Sequence, residues 1–390
     1  MKNSKLTILS PYYPTRSNKY GGIFVYDQTK VMAELVGQID VYVIRPWFKI
    51  SRQFPFVSSC GDDLVLKDIK LNNVSLKLLR YLPFPKDSVF YHLSLSVSIF
   101  FNKHKFSKNL LVHTIYPLGA AVQLAKLAPT AVIHGSDFRY FSNNTKQSKV
   151  IVDAINKSHT VCVSDGLMQE VKSTDGVRVN DTNLSVIENG VSISDIPNIR
   201  RDPSQKNSTS TGTFKFVFVG SLIKLKGVYE LLDAFSKLQK SAKHQEFSLT
   251  FVGEGIEKNT LEENVKKQNI NNVSFEGAVE NEKVMRILAE KDCLVLPSYQ
   301  EGFGRVIIEM LSLGKPVIAT KSGGPEFVLN EQTGLIVSPK DVNTLTSAMA
   351  QICVEYDTYS PAVIKKYVNQ NYSLEKQTSK LLSCVFRNIE

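Results

Sequence analysis

Short apolar runs alternate with longer amphipathic segments along almost the whole of this 390-residue chain. Because the apolar runs are nearly continuous, they predict strands buried on both faces, as in a parallel sheet covered by helices. The runs are 6–9, 41–44, 110–112, 131–133, 161–163, 216–219, 249–252, 273–275, 294–296 and 317–319. The helical patterns are 26–36, 118–127, 229–240, 257–267, 282–289 and 306–313. This alternation indicates an α/β fold.

A polar stretch at 197–213, rich in Ser, Thr, Pro and Asn and without apolar periodicity, separates two such series. It is typical of a surface linker, and the chain is long enough for two domains. We therefore predict two doubly wound Rossmann-like domains, 1–196 and 214–370, and a helix at 371–390 that crosses back to the first domain. Since open α/β sheets bind ligands at the carboxyl ends of their strands, we expect the site in a cleft between the two sheets.

Charge is distributed unevenly between the halves. Residues 1–200 carry a balance of +9, whereas residues 201–390 carry +1. The first half is therefore expected to meet an anionic partner. No zinc-finger, RNA-binding or basic-zipper signature accompanies the charge, so an anionic membrane surface is preferred to nucleic acid. A merely soluble surface remains open as an alternative.

Membrane association, if it occurs, is predicted to be peripheral. The most apolar tract, 93–101, is far shorter than the roughly 20 residues that span a bilayer. No secretory signal is visible and the five cysteines are scattered, so a cytoplasmic protein is expected. The tract 91–101 precedes Lys103, His104 and Lys105 and has two interpretations, an amphipathic helix on a membrane surface or a buried helix. The second is favoured because its serines do not form a clean polar face.

The segment 297–309 carries the chemistry that is easiest to recognise. It reads P-S-Y-Q-E-G-F-G-R-V-I-I-E and follows the apolar run 293–296. Gly302 and Gly304 allow a tight turn, and the helix predicted after them offers free N–H groups and a dipole that favour phosphate. Glu301 and Glu309 flank that helix start. We predict a site for a sugar joined to a phosphate; an ordinary turn with two solvated glutamates is the alternative.

Several ordered motifs carry a family resemblance. They are V-G-S-L-I-K-L-K-G (219–227), V-G-E-G (252–255), F-E-G-A-V (275–279), the E-x₇-E block (301–309), G-K-P-V-I-A-T-K-S-G-G-P-E (314–326) and T-G-L-I-V (333–337). With them the chain resembles the family 4 retaining glycosyltransferases of the two-domain GT-B fold. The first half, with S-P-Y-Y-P, G-G-I-F-V-Y-D-Q and H-G-S-D-F, resembles the bacterial cell-surface polysaccharide branch, of the teichuronic acid type.

The resemblance implies an enzyme that transfers a sugar, with retention, from a nucleotide diphosphate sugar to an acceptor hydroxyl. The implied acceptor is a glycan, lipid-linked or part of a growing cell-surface polysaccharide. Lys226 would pair with the diphosphate, Glu301 would contact the donor sugar, and Glu309 would accept hydrogen bonds from the ribose. The other implied donor-binding residues are Gly21, Gly22, Ser221, Gly302, Phe303, Gly304, Arg305 and Val306.

In the first half, His134 matches a family position that acts on the donor sugar or on charge at the reacting centre. The predicted catalytic residues are therefore Lys226, Glu301 and His134. Asp137 is predicted to orient His134 or the acceptor, and Glu326 to line the acceptor side. None of the other histidines attracts a functional prediction.

One position departs from the pattern. Many relatives carry Arg after the glycine at 220, where this chain has Ser221, so the usual two-cation phosphate clamp is in doubt and Lys224 is a weaker substitute. No D-x-D tripeptide occurs in the chain. We therefore expect no metal and no cofactor, with activity that persists in EDTA.

Two other functions share this architecture. A nucleotide-sugar epimerase would convert the donor without an acceptor. A non-catalytic nucleotide-sugar-binding scaffold, suggested only by Ser221, would tolerate loss of Glu301.

Overall fold

The computed structural model describes residues 1–14, 21–47, 71–85, 88–142, 145–178, 183–192, 212–241 and 245–387. The chain forms two compact units, Met1–Asn189 with Leu374–Glu390, and Gly190–Ser373. Among the described residues no helix combines the length and the apolarity required to cross a bilayer.

The first unit is built on a seven-stranded parallel sheet of order β3-β2-β1-β4-β5-β6-β7. Its strands are β1 Lys5–Ser10, β2 Gln38–Pro46, β3 Val74–Tyr81, β4 Asn109–His113, β5 Thr130–Ile133, β6 His159–Cys162 and β7 Leu184–Val186. Its helices are α1 Ile23–Leu35, α2 Val89–Asn102, α3 Ala120–Leu124, α4 Ser136–Ser142, α5 Thr145–Asn156 and α6 Asp165–Lys172.

The second unit repeats the same winding with six parallel strands, in the order β10-β9-β8-β11-β12-β13. Its strands are β8 Phe214–Val219, β9 Phe247–Val252, β10 Val273–Gly277, β11 Cys293–Leu296, β12 Val317–Thr320 and β13 Gly334–Val337. Its helices are α7 Val228–Ser241, α8 Lys258–Lys267, α9 Asn281–Ala289, α10 Arg305–Ser312, α11 Val342–Val354 and α12 Pro361–Tyr372. The last helix of the chain, α13 Leu374–Phe386, belongs to the first unit and packs against α1.

The predicted fold class is confirmed: both sheets are parallel and doubly wound. The central strands β4, β5, β11 and β12 are buried at every position, as their unbroken apolar runs require. The apolar runs did not predict β3, whose sequence V-S-L-K-L-L-R-Y is polar at several positions and whose side chains are mostly half-buried at the sheet edge. The three-residue β7 was also missed, because so short a strand leaves no periodicity.

The division between the units differs slightly from the predicted boundary at residue 196. Val191 pairs with Ser373 in an isolated parallel bridge, and its N–H donates to the carbonyl of Tyr372 at 2.9 Å. These bonds attach the chain from Gly190 onward to the second unit. Most of the predicted linker, from 197 to 211, lies outside the described residues. The final helix begins at Leu374, three residues after the predicted start.

Candidate active site

The second sheet has its topological switch point between β8 and β11. From β8 the chain winds outward towards β10, and from β11 it winds in the other direction towards β13. The loops that follow β8 and β11 therefore diverge and leave a crevice at the carboxyl ends of the strands, which is where open α/β sheets bind ligands. Gly220 and Ser221 follow β8, and Pro297 and Ser298 follow β11.

Backbone contacts hold these two loops together. The N–H of Tyr299 donates to the carbonyl of Leu225 at 2.9 Å. Gly227 has a φ of +67°, and a Cβ there would lie 2.0 Å from the carbonyl oxygen of Pro297. Only glycine permits both that backbone conformation and that approach. The residue next to it, Lys226, is thereby brought against the loop after β11.

Lys226 and Glu301, which are 75 residues apart in sequence, form an ion pair with 2.6 Å between Nζ and Oε2. The two side chains are 22% and 15% exposed, so the pair is largely shielded from water but still reachable by a ligand. The N–H of Gly302 donates to Oε1 of Glu301 at 3.1 Å, and Ser298 Oγ lies 3.4 Å from Oε2. The structure thus brings together two of the three predicted catalytic residues.

The helix start beside this pair has the predicted form. Gly304 adopts a left-handed conformation (φ +80°) as the N-cap of α10, and no side chain caps this end. The first backbone N–H groups of the helix have no intrahelical acceptor and favour an anion. Within the helix, the buried Glu309 pairs with Arg305 one turn earlier, with 3.1 Å between Oε1 and Nε.

Ser221 and Lys224 are both exposed in the loop after β8. Lys224 shares a single 3₁₀ turn with Lys226, so a second cation stands close to the pair in sequence.

Glu326 has a local structural partner. Its carboxylate accepts hydrogen bonds from the backbone N–H groups of Gly323, at 3.0 and 3.1 Å, and of Ser322, at 3.2 Å. The carbonyl of Ser322 in turn accepts from the N–H of Glu301 at 2.9 Å. Glu326 therefore shapes the loop that supports Glu301, and its predicted role towards an acceptor remains a prediction.

In the first unit Gly22, the second glycine of the pair at 21–22, lies against the residues that follow the carboxyl end of β1. Gly22 has a φ of +80° and caps α1, and a Cβ there would lie 2.4 Å from the carbonyl carbon of Tyr12. The position is therefore tightly packed, and the predicted role of Gly22 in donor binding remains a prediction. Phe24, in the first turn of α1, reaches the ends of β4 and β5.

At those strand ends two histidines meet. His113 is the last residue of β4 and His134 directly follows β5, with 3.3 Å between Nδ1 of His113 and Nε2 of His134. The ring planes are within 20° of each other and the centroids 5.6 Å apart. The centroids are separated by the N···N distance plus about the two ring radii, so the rings lie edge to edge and share an in-plane hydrogen bond. Phe24 packs on His134 with 4.7 Å between centroids.

Asp137 orients the backbone at this edge. One carboxylate oxygen accepts from the N–H of His134 at 2.9 Å and the other from the N–H of Ile115 at 2.8 Å. Asp137 therefore contacts the backbone of His134, and its predicted role in orienting His134 or the acceptor remains a prediction. Burial raises the pKa of Asp137 to about 6, although the backbone donors act in the opposite direction.

The sequence interpretation missed His113, which is fully buried. A signal was available, since His113 ends the strand next to β5 and the carboxyl ends of neighbouring parallel strands lie at one edge. Burial lowers the pKa of His134 to about 4. The pKa of His113 is also well below its ordinary value, mainly because of burial and further because of His134. Both rings are therefore neutral at pH 7.

Known proteins match this chain in sequence and in structure. Residues 200–367 match the family described as "Glycosyl transferases group 1". Most of the second unit is therefore similar to a group 1 glycosyltransferase domain. The matched segment of this domain contains the Lys226–Glu301 pair and α10, whereas the histidine pair lies before it.

A curated relative of this chain is the "Putative teichuronic acid biosynthesis glycosyltransferase TuaC" of Bacillus subtilis, which is 30% identical over 248 residues. The match covers 61% of this chain and 59% of TuaC, so it spans about three-fifths of that relative.

Two solved structures share the fold of this chain. Sucrose-phosphate synthase of Thermosynechococcus elongatus has a TM-score of 0.74 at 17% identity and covers 99% of both chains. Anabaena Alr3699/HepE, in complex with UDP and glucose, has a TM-score of 0.67 at 18% identity, with 97% of this chain and 98% of that chain covered. At these identities the likeness establishes the fold.

From the lowered pKa values of the two histidines we expect the stability of the protein to depend on pH. The two histidines have lower pKa values in the folded state than in the unfolded state. Their contribution to stability is therefore fully present above the unfolded-state pKa of about 6.5, and it is lost as the pH falls towards 4. The free energy of unfolding should therefore decrease between pH 7 and about pH 4.5. Asp137 acts in the opposite direction over this range, since its raised pKa lets the folded state take up a proton first.

A double variant isolates the contribution of the histidines. His113→Asn/His134→Gln should reduce the loss of stability between pH 7 and pH 4.5 by ~1–3 kcal/mol relative to wild type, measured by urea unfolding at each pH. A loss of the same size in both proteins would show that the two imidazoles are not the source of the acid sensitivity.

Proposed function

We propose that this protein is a retaining glycosyltransferase that moves a sugar from a nucleotide diphosphate sugar to a hydroxyl of a cell-surface glycan. The observation that carries the proposal is the Lys226–Glu301 ion pair at the switch point of the second sheet, next to the uncapped start of α10. A cation, a carboxylate and free backbone N–H groups at one point suit a sugar joined to a diphosphate.

In this proposal the second unit stabilises the leaving nucleotide. Lys226 and the N–H groups of Arg305 and Val306 bind the diphosphate, whose charge grows as the glycosidic bond breaks. Glu301 accepts hydrogen bonds from the donor sugar and Glu309 from the ribose. The alternative partner of Glu309 is Arg305, which it contacts in this structure. His134 acts at the reacting sugar as a neutral hydrogen-bond donor.

The phosphate charge is proposed to be balanced without a metal ion. Across the parts of the chain that the structure describes, no group of three or more His, Cys, Asp or Glu side chains is arranged to hold one. The proposal predicts transfer activity that persists in EDTA. Complete loss on chelation, with recovery on addition of manganese, would contradict it.

The proposed acceptor is a lipid-linked or growing bacterial cell-surface polysaccharide of the teichuronic acid type, with capsule, exopolysaccharide and O-antigen as related classes. It is supported by the motifs of the first half and by the likeness to TuaC. The UDP complex of HepE supports beginning a donor search with UDP-sugars.

A panel of nucleotide sugars tests the donor proposal by thermal stabilisation, because a ligand of the native state raises the melting temperature by mass action. The nucleotide sugar that stabilises the protein is then incubated with the protein, with and without acceptor. The anomeric configuration of the product is determined by NMR. An α-linked product from an α-linked donor supports the proposal. Conversion of the donor without acceptor would identify an epimerase, and binding without turnover would identify a scaffold.

A further inference from the structure

Helix α2 presents a second apolar face to the outside of the first unit. Its inner face, which includes Leu95 and Ile99, packs in the core against the sheet and α3. On the other face lie five large apolar side chains, each between 42% and 70% exposed. We define the α2 face as Phe90, Leu93, Val97, Phe100 and Phe101. Most of their spacings are three or four residues, so they form one stripe along the helix.

The serines of α2 do not make this face polar. Ser94, Ser96 and Ser98 donate hydrogen bonds to the carbonyls of Leu82, His92 and Arg80, at 2.8, 2.9 and 2.6 Å. Their hydroxyls are thus directed to backbone acceptors rather than to solvent. The favoured prediction of a buried helix therefore holds for one face of α2, whereas the other face is exposed. A contiguous exposed apolar patch marks an interaction site.

The charge at one end of the face indicates the partner. From Ser88 to Lys108 the sequence has no acidic residue, and Lys103, His104, Lys105 and Lys108 follow the apolar stripe. Nζ of Lys103 lies 4.2 Å from the ring centroid of Phe100, so cation and apolar surface are continuous. If two copies of the chain met through this face, the lysines of one copy would face the lysines of the other, and no acidic residue of this segment would be available to pair with them. An anionic lipid surface offers both an apolar layer and opposite charge.

We propose that the α2 face docks the protein on an anionic lipid bilayer. The five apolar side chains enter the boundary between headgroups and acyl chains, and Lys103, Lys105 and Lys108 contact lipid phosphates. The surface contains no residue of the Lys226 and Glu301 loops, so the proposal stands or fails independently of the proposed transferase activity.

Vesicle sedimentation tests the docking. The full-length protein is expected to sediment with vesicles of phosphatidylglycerol and phosphatidylcholine in equal parts, and to remain in solution with pure phosphatidylcholine. Raising the salt concentration should release it, because screening weakens the attraction of the lysines. Failure of the wild-type protein to sediment with the anionic vesicles overturns the proposal.

Two variants separate the apolar and the charged contributions. Phe90→Ser/Val97→Ser/Phe101→Ser alters only exposed positions and should abolish sedimentation. Lys105→Glu/Lys108→Glu should lower the partition coefficient at least about fivefold per lysine. The matched control is Ile256→Ser/Val354→Ser, which replaces apolar residues that are 85% and 84% exposed in the second unit, and it should sediment like the wild type.

The alternative occupants give different results. If the wild type forms a concentration-dependent dimer in solution that the triple serine variant abolishes, while neither binds vesicles, the face is a contact between copies and the proposal is wrong. If the triple serine variant binds anionic vesicles as well as the wild type, the membrane site lies elsewhere and the proposal is also wrong. All variants should keep the far-UV circular dichroism spectrum and the melting temperature of the wild type, which shows that they are folded.

Discussion

Replacing Lys226 with Ala is expected to lower kcat/KM for sugar transfer about 10²–10³-fold, the usual loss when one donor to a developing anion is removed. The side chain lies at the switch point, 2.6 Å from Glu301 and beside the uncapped start of α10, where free N–H groups favour an anion. Its loss removes a cation from the leaving diphosphate. It also leaves the Glu301 carboxylate, 15% exposed, without its ion-pair partner, where it would repel that diphosphate.

The partner residue should respond differently. Glu301→Gln keeps an oxygen acceptor but removes the negative charge, so Lys226 becomes free to bind the diphosphate alone. Donor affinity should therefore be kept or increased while kcat falls. Binding of the nucleotide sugar, measured by calorimetry, and kcat, measured at saturating donor, separate the two effects.

The double variant Lys226→Ala/Glu301→Gln should lose less activity than the product of the two single losses, because the repulsion caused by the first change is removed by the second. Lys267→Ala is a matched control, since Lys267 pairs with Glu263 at 3.4 Å on an exposed surface of α8. Such pairs contribute little, and this variant should behave like the wild type. If Lys226→Ala is as active as Lys267→Ala, the proposed phosphate role is wrong.

The second large effect is expected at the histidine pair. His134→Ala should lower kcat about 10²-fold or more, as for loss of a positioned hydrogen-bond donor at the reacting centre. His113, which lies behind it, should act by fixing the tautomer of His134. Within the described part of the chain, the buried Nε2 of His113 has no hydrogen-bond partner. A buried donor without an acceptor is rarer than a buried acceptor without a donor, so we expect the proton of His113 on Nδ1.

In that tautomer Nδ1–H of His113 donates to Nε2 of His134 over 3.3 Å. His134 must then carry its own proton on Nδ1, where it can donate to a ligand. Because burial holds the pKa of His134 at about 4, this neutral form is the one present at pH 7. His113 is in this sense a positioning residue for His134.

Two substitutions test the positioning. His113→Leu removes the donor and should lower kcat about three- to tenfold, the rate equivalent of one neutral hydrogen bond. His113→Asn keeps an N–H donor close to the position of Nδ1 and should restore most of that loss. In ¹⁵N NMR spectra the wild type should show His134 protonated on Nδ1, and His113→Leu should shift it towards the other tautomer. Equal activity of the Leu and Asn variants, with an unchanged tautomer, would leave His113 a packing residue only.

The sequence was sufficient to predict features that arise within a continuous stretch of chain. The helix bounds predicted for the second unit agree with the structure to within one residue, because caps and apolar periodicity are local. The turn at 301–309 could be predicted for the same reason, since Gly304 supplies the left-handed cap and Glu301 is only three residues away. The edge strand β3 could not, because its half-buried side chains do not form an unbroken apolar run.

By itself, then, the sequence determined the two doubly wound sheets and the residues of the loops proposed to bind the donor. The tertiary structure decided which side chains meet. Lys226 reaches Glu301 across 75 residues because Gly227 allows its loop to touch Pro297. His113 meets His134 because β4 and β5 are neighbours in the sheet. The carboxylate of Glu326 accepts hydrogen bonds from its own loop. One of the two apolar faces of α2 is left exposed. Periodicity in the sequence predicts whether a side chain is buried or exposed. Which partner that side chain contacts depends on strand order and packing, and these cannot be predicted from a local pattern.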